Sequence, residues 1–386
     1  ISCSLVGSEM CIRDRYIGRK DEKSACKAAT QLVWFVSLSA VAIMILVYLG
    51  KDIILNQVFG HITAEVKGHA DIYLLIVTAS IPFIALYNGG AAIFRAMGNS
   101  QVSMRVSLLM NAINVTGNAI LVFGLRIGTA GVAIPTLISR MVAAIVITVL
   151  LCNQTRILHI ERTLKIRFDG RMIRKILAIG VPNGLENSMF QLGKILVLSL
   201  VSTFGTYAIA ANAVSNAIAL FQILPGMAIS LAITTVISQC VGANDYEQVH
   251  YYLKKLLAII YVAMVGTVAL IFLALPLILK AYNLSDQTAA AATNIIHFHG
   301  ISAMIIWPLS FALPAAYRAA GDAKACMYTS IVSMWIFRIG FSYLVGKYMG
   351  LGVFGVWVAM VIDWVVRAIC FVIRYFNGKW KHGAIV

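Results

Sequence analysis

Six ionisable side chains, Arg140, Glu186, Lys194, Arg338, Asp363 and Arg367, stand inside stretches that are otherwise apolar. A charge in hydrocarbon costs several kcal/mol unless it is paired or hydrated, so each is a candidate for binding an ion, a proton or a polar ligand. Glu186 is the most informative of them. It follows Pro182 by one helical turn, with Gly180 and Gly184 beside it, and a proline cannot donate to the carbonyl four residues earlier, here that of Ala178. A loosened backbone next to a carboxylate is the pattern of a small-cation site. The alternative is that Glu186 is neutralised by Lys194, eight residues on and on nearly the same helix face.

Asp363 and Arg367 are one turn apart, and Arg338 lies at similar depth on the preceding apolar stretch. Together they form a buried charge network with a structural role, whereas Arg140 has no obvious partner. Four bases against two acids leave an excess of +2 among these six groups, which fits anionic or zwitterionic solutes better than cations. Asn114 and Asn118 are four apart and share a helix face, with Asn111 one turn earlier. They can hydrogen-bond a solute or glue helices together, but an amide cannot carry a proton. His297 and His299 are two apart, so on a helix they face different ways and form no metal pair. Phosphate-loop, zinc-ligand and nucleophile spacings are absent, and enzyme chemistry has no foothold.

The elements that must position these residues follow from composition. Of 386 residues, 60% are hydrophobic and 12% charged. Uncharged runs such as Ala28 to Gly50 and Ile72 to Phe94 reach the roughly 20 residues that cross a bilayer. Ten spans are expected at 28 to 50, 71 to 94, 102 to 124, 131 to 153, 173 to 202, 206 to 240, 249 to 280, 290 to 317, 326 to 347 and 352 to 374. The net charge of +16 does not point to nucleic acid, because Lys and Arg are spread over short connectors. Alternate connectors collect 20 Lys and Arg on one side, Lys379 among them, and five on the other. The basic side is read as cytoplasmic, which puts the C-terminus there and the protein in the cell membrane. Cys26, Cys152, Cys240, Cys326 and Cys370 fall at the ends of spans on that side, so no disulfide framework is implied.

The chain also repeats. Tyr16 to Glu22 matches Cys240 to Tyr246, Arg95-Ala-Met-Gly98-Asn99 matches Arg318-Ala-Ala-Gly321-Asp322, and Gly131-Val132 matches Gly355-Val356, all at an offset of 223 to 224 positions. Two copies of one multi-helix unit are implied. Residues 1 to 15 do not resemble the uncharged residues 225 to 239 that the repeat would demand, and are read as a non-native segment. By the same logic the first copy lacks about two helices, giving roughly 70 residues absent and six spans per complete copy. An even number per copy makes the repeats parallel. The expected fold class is thus an all-α polytopic membrane protein with two parallel-repeat lobes. The N-lobe is 16 to 153, a basic cytoplasmic linker that either lies on the anionic leaflet or is a plain solvated connector is 154 to 172, and the C-lobe is 173 to 386.

The connector Gly18 to Glu22, the run Ala96 to Ser100, the helix with Asn111 and Asn114, Gly131 to Ser139, Gly180 to Glu186 and Arg318 to Asp322 occur in an order that resembles the multidrug and toxic compound extrusion (MATE) family. The resemblance covers residue 16 to about 380. It implies an antiporter coupled to sodium ions or protons that exports amphipathic compounds, with a transported ion in place of any cofactor. Small solutes and membrane lipid are its implied partners, with no nucleic acid, and the chain acts as a monomer. Glu186 matches the acid of the seventh helix in sodium-coupled members. The second acid of that site falls at Trp307, which cannot ligate an ion, so protonation of Glu186 alone is the competing reading. Asn114 and Asn118 resemble an Asn and Asp pair of the proton-linked members, with Asn118 in place of the acid, and Thr136 matches a polar cavity position. Asn183, within the Glu186 motif, joins Asn114, Asn118, Thr136 and Trp307 as a cavity candidate. A rival reading is a flippase for a lipid-linked anionic precursor, drawn from the basic excess.

Overall fold

The apolar runs become helices because a backbone amide in lipid has no partner outside its own helix. The computed structural model describes residues 14–53, 55, 64–152 and 170–382, and among these no strand occurs. The remainder of the expected non-native segment, apart from the buried Asp14 and Arg15, and nearly all of the expected linker lie outside the described residues.

The helices are α1 (Glu22–Ile53), α2 (Ala64–Ala79), α3 (Ile81–Ala96), α4 (Ser100–Asn118), α5 (Thr129–Leu151), α6 (Gly170–Ser202), α7 (Thr206–Gly242), α8 (Tyr246–Ala281), α9 (Asp286–Trp307), α10 (Leu313–Ala319), α11 (Ala323–Ser333) and α12 (Gly352–Phe376). Wide π turns extend α4 (Ala119–Gly124), bridge α9 to α10 (Pro308–Ala312) and extend α11 (Met334–Gly340 and Ser342–Tyr348). Nine stretches among the described residues are long and apolar enough to cross a membrane. The span expected at 173 to 202 is the continuous helix α6, but it falls outside that set. Asn183, Glu186, Asn187, Gln191 and Lys194 dilute its apolar content, as expected of a helix that lines a polar interior. The span expected at 71 to 94 is interrupted at Ser80, where Pro82 opens α3. Side chains facing away from the protein are apolar: Leu49, Phe123, Leu273 and Leu277 are all more than 70% exposed, an arrangement suited to lipid and costly in water.

The chain divides into two compact units, residues 2–177 and 178–386. The N-terminal unit buries Ala25, Ala29, Val36, Ala91, Ala92, Phe94, Ala143 and Ile147. The small residues let backbones approach: a Cβ on Gly90 would stand 2.8 Å from the Ile147 side chain across the α3–α5 contact. In the C-terminal unit, α7, α8 and α9 enclose Ala211, Val214, Ile218, Ile271, Leu275 and Ile296. Helix α12 buries Val353, Val356, Trp357, Met360, Asp363, Trp364, Arg367 and Phe371, a stripe at three- and four-residue spacing that carries two charges inward.

The repeat is written into the backbone corners. Positive φ occurs at Lys20 (59°) and Asn244 (59°), at Gly98 (73°) and Gly321 (96°), at Arg126 (52°) and Gly350 (76°), and at Gly128 (64°) and Gly352 (58°). Each pair is separated by the offset of 223 or 224 found in the sequence. The closing hydrogen bonds repeat too. The amides of Gly98 and Asn99 donate to Arg95 and Phe94, and those of Gly321 and Asp322 to Arg318 and Tyr317, at 2.9 to 3.0 Å. Both helices therefore end in a left-handed cap, which is why the glycines recur.

Candidate functional site

In the N-terminal unit the polar residues form a neutral chain. Gly117 faces Pro135, where an added Cβ would approach to 2.7 Å, so α4 and α5 touch closely at this level. The contact brings Asn114 within reach of α5. Its Nδ2 donates to Thr136 Oγ1 at 3.0 Å, Asn118 Nδ2 donates to Asn114 Oδ1 at 3.2 Å, and Thr136 Oγ1 donates to the Val132 carbonyl at 3.0 Å. The three expected residues do meet, while Asn111 is exposed. Arg140 is not partnerless: Nη1 donates to Ser80 Oγ at 2.7 Å. Ser80 is fully buried at the α2–α3 break, so this arginine braces an interrupted span and is no free charge.

In the C-terminal unit the charges lie in two adjoining regions linked by Arg338, which interacts electrostatically with Asp363 and Arg367 as well as with Lys194. The first centres on Glu186, which is 9% exposed. Its Oε1 lies 3.4 Å from Arg318 Nη2 and 3.7 Å from Arg367 Nη2. Lys194 is not its partner; the neutralising groups come from α10 and α12. Arg367 Nη2 also donates to Ser330 Oγ at 2.9 Å, and its guanidinium covers the Phe311 ring at 4.5 Å. Ser333 Oγ donates to Asp363 Oδ1 at 2.6 Å. Glu186 Oε2 is buried and meets no donor among the described residues. Arg318 is one residue from the end of α10. Helix α6 also runs unbroken through Pro182, so no unwound backbone surrounds the carboxylate, and Asn183 is engaged within the helix, its carbonyl accepting from Asn187 Nδ2 at 3.0 Å.

The second region is a cavity of about 220 Å³ lined by Lys194, Asn212, Asn216, Arg338, Trp357 and Met360, with Val197, Leu198 and Val356. Lys194 is exposed at its edge, not buried. Lys194 Nζ and Arg338 Cζ lie 5.1 and 5.2 Å from the centre of the same Phe190 ring. Trp357 Nε1 donates to Asn212 Oδ1 at 3.1 Å, and Asn216 Nδ2 donates to the Asn212 carbonyl at 2.8 Å. Arg338 belongs to a π turn, where the widened backbone turns a side chain that a regular helix would aim elsewhere.

Trp307 does not line this cavity. It is 4% exposed, stacks on Phe311 at 5.3 Å and fills the space that Gly226 leaves open on α7. His299 is also a core residue, with Nδ1 2.5 Å from Gln222 Oε1 and its ring edge-on to Trp357 and Trp364. No group of three or more His, Cys, Asp or Glu able to hold a metal occurs among the described residues.

Sequence reasoning misses Arg318, Asn212, Asn216 and Trp357. The two asparagines carry a legible signal, the same four-residue spacing as Asn114 and Asn118 inside an apolar run. Arg318 is visible as a repeat landmark, but its position at a helix end makes it read as a connector charge.

Comparison with known proteins agrees with this architecture. An uncharacterized transporter of Bacillus subtilis, YisQ, is 27% identical over 384 residues, covering 96% of this chain and 81% of the relative. A probable multidrug resistance protein NorM of Thermotoga maritima is 22% identical, covering 96% of this chain and 80% of the relative. A multidrug resistance MATE family transporter of the MOP superfamily, solved in an outward-facing conformation, superposes with a TM-score of 0.90 at 21% identity, covering 99% of this chain and 85% of that one. The chain matches the MatE family over residues 14–120 and 182–344, more than half its length, with the larger part of each copy of the repeat inside the match. The duplicated bundle, the inward-facing charges and this match together make the chain a multi-pass membrane transporter, not an enzyme, and a member of the MATE family of efflux proteins.

Proposed function

We propose that the protein is a proton-coupled antiporter of the cytoplasmic membrane that exports amphipathic compounds by alternating access, with Glu186 carrying the proton. One observation supports this above the others: Glu186 Oε1 is shared by two guanidinium groups while Oε2 is buried without a donor. A sodium ion, like other hard cations, needs several oxygen ligands, whereas the groups that meet Glu186 Oε1 are guanidinium donors. A proton needs only the vacant oxygen. When it binds at Oε2 the carboxylate becomes neutral, and the attraction that ties α6 to Arg318 of α10 and Arg367 of α12 falls away. Removing one member of a buried pair costs about 3–5 kcal/mol. A change of that size moves a two-state equilibrium by about two to three and a half orders of magnitude, at about tenfold per 1.4 kcal/mol. The ends of one cycle are thereby distinguished by the charge on a single residue.

The drug-export reading draws on the relatives' names, and the orientation draws on the basic connectors, which put the C-terminus in the cytoplasm. We take the transporting form to be a monomer. Efflux of a fluorescent amphiphile by cells expressing Glu186→Gln should fall at least about tenfold, to the level of the empty vector. Replacing external sodium with potassium should leave wild-type efflux unchanged, while a protonophore should stop it. Full efflux by Glu186→Gln would remove the assignment.

The rival flippase reading draws on the unneutralised cations of the second region. A cavity of about 220 Å³ is too small for a whole drug-sized or lipid-linked ligand, since such sites are typically about 300–1,000 Å³. It therefore bears on the head of the solute and does not by itself favour a flippase.

A further inference from the structure

The two charge regions of the C-terminal unit differ in one respect that ion coupling does not use. Around Glu186 and Asp363 each charged side chain makes at least one hydrogen bond or ion pair, although Glu186 Oε2, Asp363 Oδ2 and Arg367 Nε are buried without one. In the cavity, Lys194 and Arg338 stand within 5.1 and 5.2 Å of one ring and repel each other, and no carboxylate lines the space. Asp363 is the acid whose field Arg338 feels, but its Oδ1 is taken by Ser333 and it forms no ion pair with Arg338 among the described residues. Arg338 Nε is buried with no acceptor. Asn212 turns its Oδ1 toward Trp357, so the amide group left over, Nδ2, is a donor. The lining thus offers an ammonium, a guanidinium and an amide N–H, with apolar walls from Val197, Leu198, Val356 and Met360.

We infer that this cavity is an anion subsite: it takes the carboxylate, sulfonate or phosphate head of an amphiphile, with Lys194 and Arg338 as the recognising pair. Two like charges lining one cavity are stabilised by a shared anion, and a guanidinium binds an oxyanion through a planar fork. The volume fits this role. About 220 Å³ holds some seven waters at ~30 Å³ each, or one charged head with its first few carbons, while the tail stays outside. The repeat supplies an independent argument. At the 224 offset, Arg338 and Met360 occupy the positions of Asn114 and Thr136. One copy places a neutral, internally satisfied pair there, and the other places an unsatisfied cation.

The subsite rests on the transport reading only for its purpose, and its test is binding. The full chain, purified and placed in phosphatidylcholine vesicles, is titrated with an undecanoic acid bearing a terminal dansyl group and with the matching dansyl alkylamine. The carboxylate should bind at least about tenfold more tightly than the amine. Lys194→Gln and Arg338→Gln should each weaken the carboxylate about tenfold and leave the amine unchanged. Lys194→Arg keeps the charge and should keep the binding, which separates charge recognition from misfolding. If phosphatidylglycerol in the vesicles displaces the probe and no probe is transported, the natural occupant is a lipid headgroup. If the probe is pumped, the occupant is a transported anion; both outcomes retain the subsite. Equal binding of the two probes, or unchanged carboxylate binding in both Gln variants, would overturn it. Glu186→Gln should lose efflux yet keep the preference for the carboxylate over the amine, so loss of coupling and loss of the anion subsite are read separately.

Discussion

The two copies of the repeat solve the same local problem in opposite ways. Where α4 meets α5, Asn114, Asn118 and Thr136 close a chain of neutral hydrogen bonds. At the corresponding level of the C-terminal unit, Arg338 sits in a π turn with Nε unpaired, beside Lys194 and Met360. The first arrangement links α4 to α5 through neutral groups, although Asn118 Oδ1 is buried without a donor. The second is incomplete until something anionic arrives. Ancestry explains the shared position, and side-chain chemistry explains the divergent task.

Three substitutions test whether the C-terminal unit is held by ions and the N-terminal unit by neutral contacts, in falling order of effect, the first two each set beside a comparison variant. Arg367→Met strips Glu186 and Ser330 of a buried partner and should lower stability by about 3–5 kcal/mol, read from thermal unfolding in detergent. Its control, Arg338→Met, removes a cation lacking an ion-pair partner and should change stability by less than about 1 kcal/mol; equal losses from the two would erase the distinction between the regions. Gly117→Val forces a side chain against Pro135 and should cost about 1–3 kcal/mol, with Gly355→Val comparable because a Cβ there meets Gly346 Cα at 2.8 Å. Asn114→Leu breaks the neutral chain and should cost only about 0.6 kcal/mol, the average for interhelical hydrogen bonds in membranes. A loss near that of Arg367→Met would show that the N-terminal unit also depends on its polar site.

Helix positions are legible in the sequence because burial in lipid demands about 20 apolar residues, and charges within such runs announce themselves. That is why Glu186, Asp363 and Arg367 stand out from the apolar runs that hold them. Their partners are less legible. Lys194 shares a helix with Glu186 and so suggests itself, yet Glu186 turns toward Arg318 and Arg367 on two other helices. Arg140 looks solitary along the chain because Ser80, its partner, is sixty residues away in an apolar run. Motif register puts Trp307 in a cavity, and it is the missing side chain of Gly226 that draws it into the core.

From the residues alone it follows that the chain is membrane-spanning and doubled. Span length, glycine at left-handed caps and a constant offset are properties of neighbours along the chain, and they need no third dimension. The tertiary structure alone decided which charges are satisfied. Pairing depends on the rotation and depth at which separate helices meet, to within a few ångströms, and a π turn or a close glycine contact resets both without leaving a mark in the periodicity of either helix.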